Sequence, residues 1–210
     1  TWQDLENLSR TFRLMFDGVI NHASSKSTAF REMLSGNPDY KDFAVSFRSA
    51  DEMTPEQRSL LRRPRTSDVL TRFVSIDGPV WIWTTFSPDQ IDLNYRNPRV
   101  LVEMTMTLLG WLSRGIDGFR ADAIPYLWKE PGTICENLPR THVIVKIFRA
   151  AMDYLRPGSI LLAEANQPPL EVAKYFGDGD ECLAAYHFPL MPRMYKALAT
   201  ASWRAVAEPL

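Results

Sequence analysis

The sequence predicts an α/β fold built on a parallel sheet, and three observations carry that reading. Short apolar runs alternate with longer segments of helical period from one end of the chain to the other. Such alternation favours a parallel sheet whose strands are joined by right-handed helical crossovers. The polar residues that stand out sit just past the ends of the apolar runs: Asn21 and His22, Arg120 and Asp122, and Glu164. In an eight-stranded barrel, and equally in an open doubly wound sheet, the C-terminal edge of the strands is where sites form. No glycine-rich phosphate turn follows any of these runs, which weighs against a nucleotide site.

Thr1 to Phe12 reads as the end of a helix, with Asp4 three residues after Thr1 in a capping-box spacing. Leu14 to Ile20 is an apolar strand that delivers Asn21 and His22. Ser27 to Leu34 has the length of a short helix, stopped by Gly36-Asn37-Pro38. From Asp39 to Asn94 prolines, charges and brief aromatic runs such as Val80 to Thr84 replace the regular pattern. That length is too great for a plain loop, so 39–94 is expected to be an inserted subdomain between barrel parts at 1–38 and 95–210. The basic run Arg58 to Arg65 is expected to be a solvated segment.

Asn97-Pro98 opens the clearest helix, an N-cap followed by a first-turn proline. Val100, Leu101, Met104, Leu108, Leu109 and Leu112 recur at helical spacing, and Gly115 is expected to close the segment. A strand over Ile116 to Ala121 follows, then a long loop with Tyr126, Trp128, Lys129 and Cys135. Pro139 to Leu155 reads as a second amphipathic helix ended by Pro157-Gly158, and Ser159 to Ala163 as a strand leading to Glu164. Pro168 to Phe176 is expected to be helical, Cys182 to Phe188 a strand, and Pro189 to Ala199 a helix.

Composition excludes several classes. A net charge of −1 over 210 residues offers no cationic face for nucleic acid or membrane surfaces. No apolar run approaches the roughly 20 residues of a membrane span. No leader is visible, and the chain opens on Thr1 rather than Met, so the natural N-terminus is expected to lie elsewhere. Cys135 and Cys182 stand far apart, form no metal-type cluster and fit a reducing cytoplasm. The three histidines match no ligand spacing, so no metal is assigned. His142, on an amphipathic helix, is read as structural, while His187 stays open.

The most informative stretch is Asp117 to Ile124. Strand alternation points Arg120 and Asp122 to one face, where the guanidinium is expected to keep the carboxylate ionised. A structural ion pair is the bland alternative for these two, as an exposed or helix-capping acid is for Glu164. Two carboxylates on adjacent parallel strands can instead meet over one cleft. At a separation of about 5 to 5.5 Å they suit retaining glycoside cleavage, one as nucleophile and the other as acid/base. Asp122 fits the first role and Glu164 the second. His22 can bond a sugar hydroxyl, although a satisfied structural histidine is the commoner fate. On a regular strand Asp17 and Asn21 face away from His22, and both are read as structural residues that fix loop geometry.

Four segments in this order resemble the α-amylase superfamily, glycoside hydrolase family 13. Asp17-Gly-Val-Ile-Asn-His22 is similar to its strand-3 motif, Gly118-Phe-Arg-Ala-Asp-Ala123 to the strand-4 motif with the nucleophile, and Glu164 to the strand-5 acid/base. Gln90-Ile-Asp-Leu-Asn94 resembles the motif near the end of the inserted domain B. The resemblance implies a fragment of a (β/α)8 TIM barrel, about strands 3 to 6, with domain B after strand 3. It also implies a covalent glucosyl intermediate on Asp122, protonation of the leaving oxygen by Glu164, and substrate contacts from His22 and Arg120, with Asn166 and Gln167 shaping the acceptor side. Calcium is left open, because Asn21 offers one oxygen where calcium takes six to eight; no cofactor is assigned.

Trp83 to Tyr95 and Tyr126 to Glu130 resemble sucrose phosphorylase relatives. Cys135-Glu-Asn-Leu-Pro139, Leu161 to Gln167, Tyr175 to Cys182 and His187 to Arg193 resemble trehalose synthase, with amylosucrase close by; Leu183 departs from that pattern. The expected activity is that of a retaining α-glucoside hydrolase or transglucosylase acting on small sugars such as sucrose, trehalose or maltose. Water, phosphate, a second sugar or the released glucose all stay open as acceptor. The family's third carboxylate, and strands 1, 2, 7 and 8, have no counterpart here, so the isolated chain is expected to lack turnover. A non-catalytic carbohydrate-binding or scaffold relative on the same fold is the rival reading.

Overall fold

The computed structural model describes residues 1–207. Helix α1 (Trp2–Ser9) is capped by Thr1, whose hydroxyl accepts from the Asp4 amide at 3.3 Å and donates to the Asp4 carboxylate at 2.6 Å. Strand β1 (Met15–Val19) ends before Ile20, and a bend at Asn21 starts a separate strand β2 (His22–Ser24). Helix α2 (Thr28–Leu34) is capped by Ser27. Strands β3 (Ser46–Phe47), β4 (Leu70–Ser75) and β5 (Gly78–Trp83), with helix α3 (Pro55–Leu60) between the first two, form an antiparallel sheet of order β3-β5-β4. Met53, Val69, Leu70 and Trp83 form a second small core there with Cys135 of the loop that precedes residue 139. Strand β6 (Gln90–Asp92) returns to pair antiparallel with β2, His22 opposite Asp92.

Helix α4 (Pro98–Leu112) starts on its Asn97 cap, and the chain turns back through Gly115 at φ +102, a left-handed conformation that suits glycine. Strand β7 (Gly118–Asp122) follows, then helix α5 (Pro139–Leu155), strand β8 (Ile160–Ala163), helix α6 (Pro169–Ala173), strand β9 (Ala184–Ala185), and helices α7 (Leu190–Thr200) and α8 (Arg204–Ala207). The expected strand over Cys182 to Phe188 shrinks to the two residues of β9, since only Ala184 and Ala185 find ladder partners on β8.

Strands β1, β7, β8 and β9 make one sheet in that order, and every neighbouring pair is parallel. Alternation sorts β7 cleanly. Phe119 and Ala121 are buried in the core that α4 and α5 share through Val100, Leu108, Phe148 and Met152, and Arg120 and Asp122 project from the opposite face. The strands approach closely at Gly118, where a Cβ would lie 2.4 Å from the Ile160 carbonyl oxygen. At the sheet edge Met15, Phe16 and Val19 of β1 are exposed. No helix among the described residues is long and apolar enough to cross a membrane.

Candidate active site

The site lies where β1, β7 and β8 end. Register places Val19 beside Asp122 and Ala121 beside Ala163, so the residues leaving β7 and β8 emerge at one level. Arg120 binds three carboxylates at once: Asp17 at 2.7 Å, Asp122 at 3.1 Å and Glu164 at 2.6 Å. After Asp122 the chain turns through Ala123 at φ 53, a conformation that costs a non-glycine residue on the order of 1 to 3 kcal/mol. The turn aims the Ala123 N–H at Glu164 Oε2, 3.0 Å away. Glu164 is thereby held by one guanidinium and one backbone amide, beside the carboxyl of Asp122.

The electrostatics differ from the expected pairing of one cation with one anion. Burial and the neighbouring Glu164 carboxyl push Asp122 up to about 6, against the opposing pull of Arg120. A single guanidinium divided among three carboxylates cannot hold Asp122 at an ordinary value. Asp122 is therefore mostly ionised at neutral pH and takes a proton a little below it.

His22 comes to the site by a route the regular-strand expectation missed. Because β1 stops at Val19 and the chain bends at Asn21, Asp17 and His22 both reach Asp122, one through Arg120 and the other with its Nε2 3.9 Å from Asp122 Oδ2. Burial lowers the pKa of His22, so the ring is neutral. Phe86 packs on it at 5.4 Å, and Tyr126 meets Phe86 edge-on at 5.3 Å.

Asn21 is wholly buried beneath His22. Its Oδ1 accepts from Lys129 Nζ at 2.6 Å, and Lys129 also pairs with Asp92 at 2.8 Å. Asp92 in turn accepts from the Thr85 amide at 2.9 Å and hydroxyl at 2.5 Å. The oxygen considered for calcium is therefore taken by an ammonium group, and the donor set at Asn21 does not fit a divalent cation.

A cavity of about 530 Å3 opens beside Glu164, lined by Phe86, Tyr126, Glu136, Asn166, Gln167, Phe188, Arg62 and Arg63 among others. Glu136 Oε1 accepts from Tyr126 at 2.7 Å and from Gln167 at 2.9 Å. Arg63 is anchored by the Thr85 carbonyl at 3.0 Å. The basic run is thus not simply solvated: the segment between α3 and β4, tied to Ile134 and Thr85, brings Arg62 and Arg63 to the cavity wall. His142 stacks on Tyr175 at 4.6 Å and bonds Glu181 at 2.9 Å, and His187 lines a separate small cavity with Phe176 and Tyr186.

Sequence reasoning missed Lys129, Glu136, Arg62 and Arg63 as parts of this site. A lysine directly after the apolar tract Ile-Pro-Tyr-Leu-Trp at 124–128 was the available signal for the first. The others lie in irregular segments whose contacts with the site only the fold sets.

A parallel sheet with acidic residues gathered at its C-terminal edge defines an α/β protein whose candidate site lies at the strand ends, and comparison with known proteins identifies the family. The chain belongs to the α-amylase family, whose catalytic-domain profile matches residues 3–208. It is 45% identical over 197 residues to a glucosylglycerate phosphorylase of Spirochaeta thermophila, covering 94% of this chain and 33% of that protein. It is 42% identical over 214 residues to a trehalose synthase/amylase of Mycolicibacterium smegmatis, covering 95% of this chain and 34% of that protein. The crystal structure of a sucrose 6F-phosphate phosphorylase from Thermoanaerobacter thermosaccharolyticum superposes with a TM-score of 0.85 at 21% identity, over 97% of this chain and 42% of that one. That likeness establishes the fold, and the parallel strands here are part of the wall of such a barrel. The chain spans about a third of the length of the curated relatives it matches.

Proposed function

We propose that this chain carries the reaction centre of a retaining α-glucoside-active enzyme that transfers glucose between small acceptors. The observation that carries the reading is the clamp of Arg120 on Asp122 and Glu164 at 3.1 and 2.6 Å, which brings two acids from neighbouring strands to one point. In the first step Asp122 attacks the anomeric carbon, the glycosidic C–O bond breaks, and the leaving oxygen takes its proton from Glu164. In the second step an acceptor oxygen attacks the same carbon, Glu164 receives its proton, and the bond to Asp122 breaks. Two displacements retain configuration. His22 hydrogen-bonds the glucose held in this site, and Asn166 and Gln167 shape the acceptor side.

The acceptor side supports a finer statement. Arg62 and Arg63 border the cavity beside Glu164, where an anionic acceptor such as inorganic phosphate or a small carboxylate would meet two cations. The names of the glucosylglycerate and sucrose-phosphate relatives suit that chemistry. The test uses the protein at its natural length, incubated with glucosylglycerate, trehalose, sucrose or maltose, with and without phosphate. Phosphate-dependent release of glucose 1-phosphate is expected, together with a glucosyl adduct trapped on Asp122 by a slow fluorinated substrate. Asp122→Asn should lower turnover by a factor on the order of 10⁴ or more. Substantial activity in that variant, or no adduct on any substrate, would refute the reading and favour a non-catalytic relative.

A further inference from the structure

The imidazole of His22 lies between two side-chain amides. Asn21 Nδ2 is 3.3 Å from its Nδ1, and the Gln90 amide is 2.9 Å from its Nε2. A neutral imidazole has one N–H and one lone pair, so the two amides cannot both donate to it. Something outside the ring must decide which nitrogen carries the proton.

Lys129 is placed to decide it. Its Nζ is buried and donates to Asn21 Oδ1 at 2.6 Å; burial lowers the pKa of the amine, and Asp92, completely buried and 2.8 Å away, opposes that by favouring the ammonium form. Turning the Asn21 amide over would aim its NH2 group at an ammonium in a dry interior, a juxtaposition of like charge with a large penalty. The oxygen of Asn21 therefore faces Lys129, and its NH2 group donates to His22 Nδ1. Gln90 carries no such constraint. Its other side-chain partner among the described residues is the Ser87 hydroxyl at 2.8 Å, and a hydroxyl can donate or accept. The Gln90 amide can turn its oxygen toward Nε2 at almost no cost.

We infer that Lys129 is a positioning residue that, through Asn21, fixes His22 as the neutral tautomer with its proton on Nε2, directed toward Gln90 and Asp122. The groups facing the ring are Asn21, Gln90, Phe86, Asp122 at 3.9 Å, and the Asp92–Lys129 pair behind Asn21. Lys129 acts on the Nδ1 side, where its donor direction cannot be reversed, and the Asp122 carboxylate near Nε2 acts in the same sense. The consequence for the site rests on the proposed reaction. A neutral N–H beside Asp122 stabilises the ionised carboxylate and can donate to a sugar hydroxyl. An imidazole lone pair in its place would repel the carboxylate and could only accept from the hydroxyl.

The experiment reads the tautomer directly and needs no turnover. Two-bond proton–nitrogen spectra are recorded on the natural-length protein labelled with nitrogen-15 histidine. His22→Gln identifies the relevant signal among the three histidines of this chain and any others. The wild type is expected to show a neutral ring protonated on Nε2 at about pH 7 to 8. Lys129→Met should give a mixture of the two tautomers. Asn21→Asp keeps the shape and offers oxygens to both Lys129 and the ring, so the proton should move to Nδ1 and the pH midpoint of His22 should rise by about one unit or more. An Nδ1-protonated wild type overturns the inference, as does an unchanged Nε2–H ring in both variants. If Lys129→Met does not fold, Asn21→Asp decides alone. Loss of all glucosyl transfer with the wild-type tautomer as expected would refute the proposed reaction and leave this inference standing.

Discussion

Removing the charge of Asp122 should abolish chemistry while making the protein more stable, and the size of the gain follows from the site. Burial and the adjoining Glu164 carboxyl raise Asp122 from 3.8 to about 6, and its side chain is 20% exposed, so solvent screening is modest. The difference, about 6 minus 3.8, is roughly 2 units, or about 3 kcal/mol at 1.36 kcal/mol per unit. A carboxyl whose folded pKa is raised supports the fold fully below its unfolded value, and that support is lost as pH rises through about 6. At pH 8 the wild type therefore bears the whole cost of an ionised, partly buried Asp122. The amide side chain introduced by Asp122→Asn would be isosteric with the protonated acid and carry no charge.

The expected result, for the protein at its natural length, is a melting temperature nearly equal to wild type at pH 4 and higher by roughly 2 to 3 °C at pH 8, taking about 2.1 cal/mol/K per residue over a chain about three times as long as this one. Scanning calorimetry of the two proteins across that range measures it. A constant difference from pH 4 to 8 would refute the claim that Asp122 titrates near neutrality beside Glu164. A lower melting temperature for the variant at pH 8 would show that the Arg120 contact outweighs burial. The same titration predicts that the rate falls on the acid side with a midpoint near 6, because the nucleophile must be ionised.

Further outcomes follow from the other contacts. Lys129→Met strands the completely buried Asp92 without its cation and should cost about 3 to 5 kcal/mol in urea unfolding, with little dependence on salt. Gly118→Ala drives a Cβ to 2.4 Å from the Ile160 carbonyl oxygen, which no side-chain shift relieves, and should abolish soluble expression. Arg63→Ala should raise the KM for phosphate by roughly 10- to 100-fold while leaving hydrolysis by water nearly unchanged, read from initial rates with and without phosphate. Expressed alone, this chain should show no hydrolysis of a nitrophenyl α-glucoside and should associate through the exposed β1 edge, seen by light scattering.

Local chemistry made much of this protein legible from its residues. The cap at Asn97 and the proline at Pro139 place two helices at their observed starts, because caps and first-turn prolines act within a few residues. The parallel sheet follows from strand and helix alternating, and the shared face of Arg120 and Asp122 follows from strand geometry alone. The two candidate acids could be singled out because each directly ends an apolar run. What the tertiary structure decided was every relation across elements. A bend at Asn21 brought His22 onto the side of Asp17, register set three carboxylates on one guanidinium, and the segment between α3 and β4 carried Arg62 and Arg63 to the cavity. Charge state belongs to that second group, because the pKa of Asp122 is a sum over neighbours that lie far apart along the chain. Lys129 makes the same point: its position in the sequence marks it only as a charge beside apolar residues, and its partners Asn21 and Asp92 become neighbours only when β2 and β6 pair.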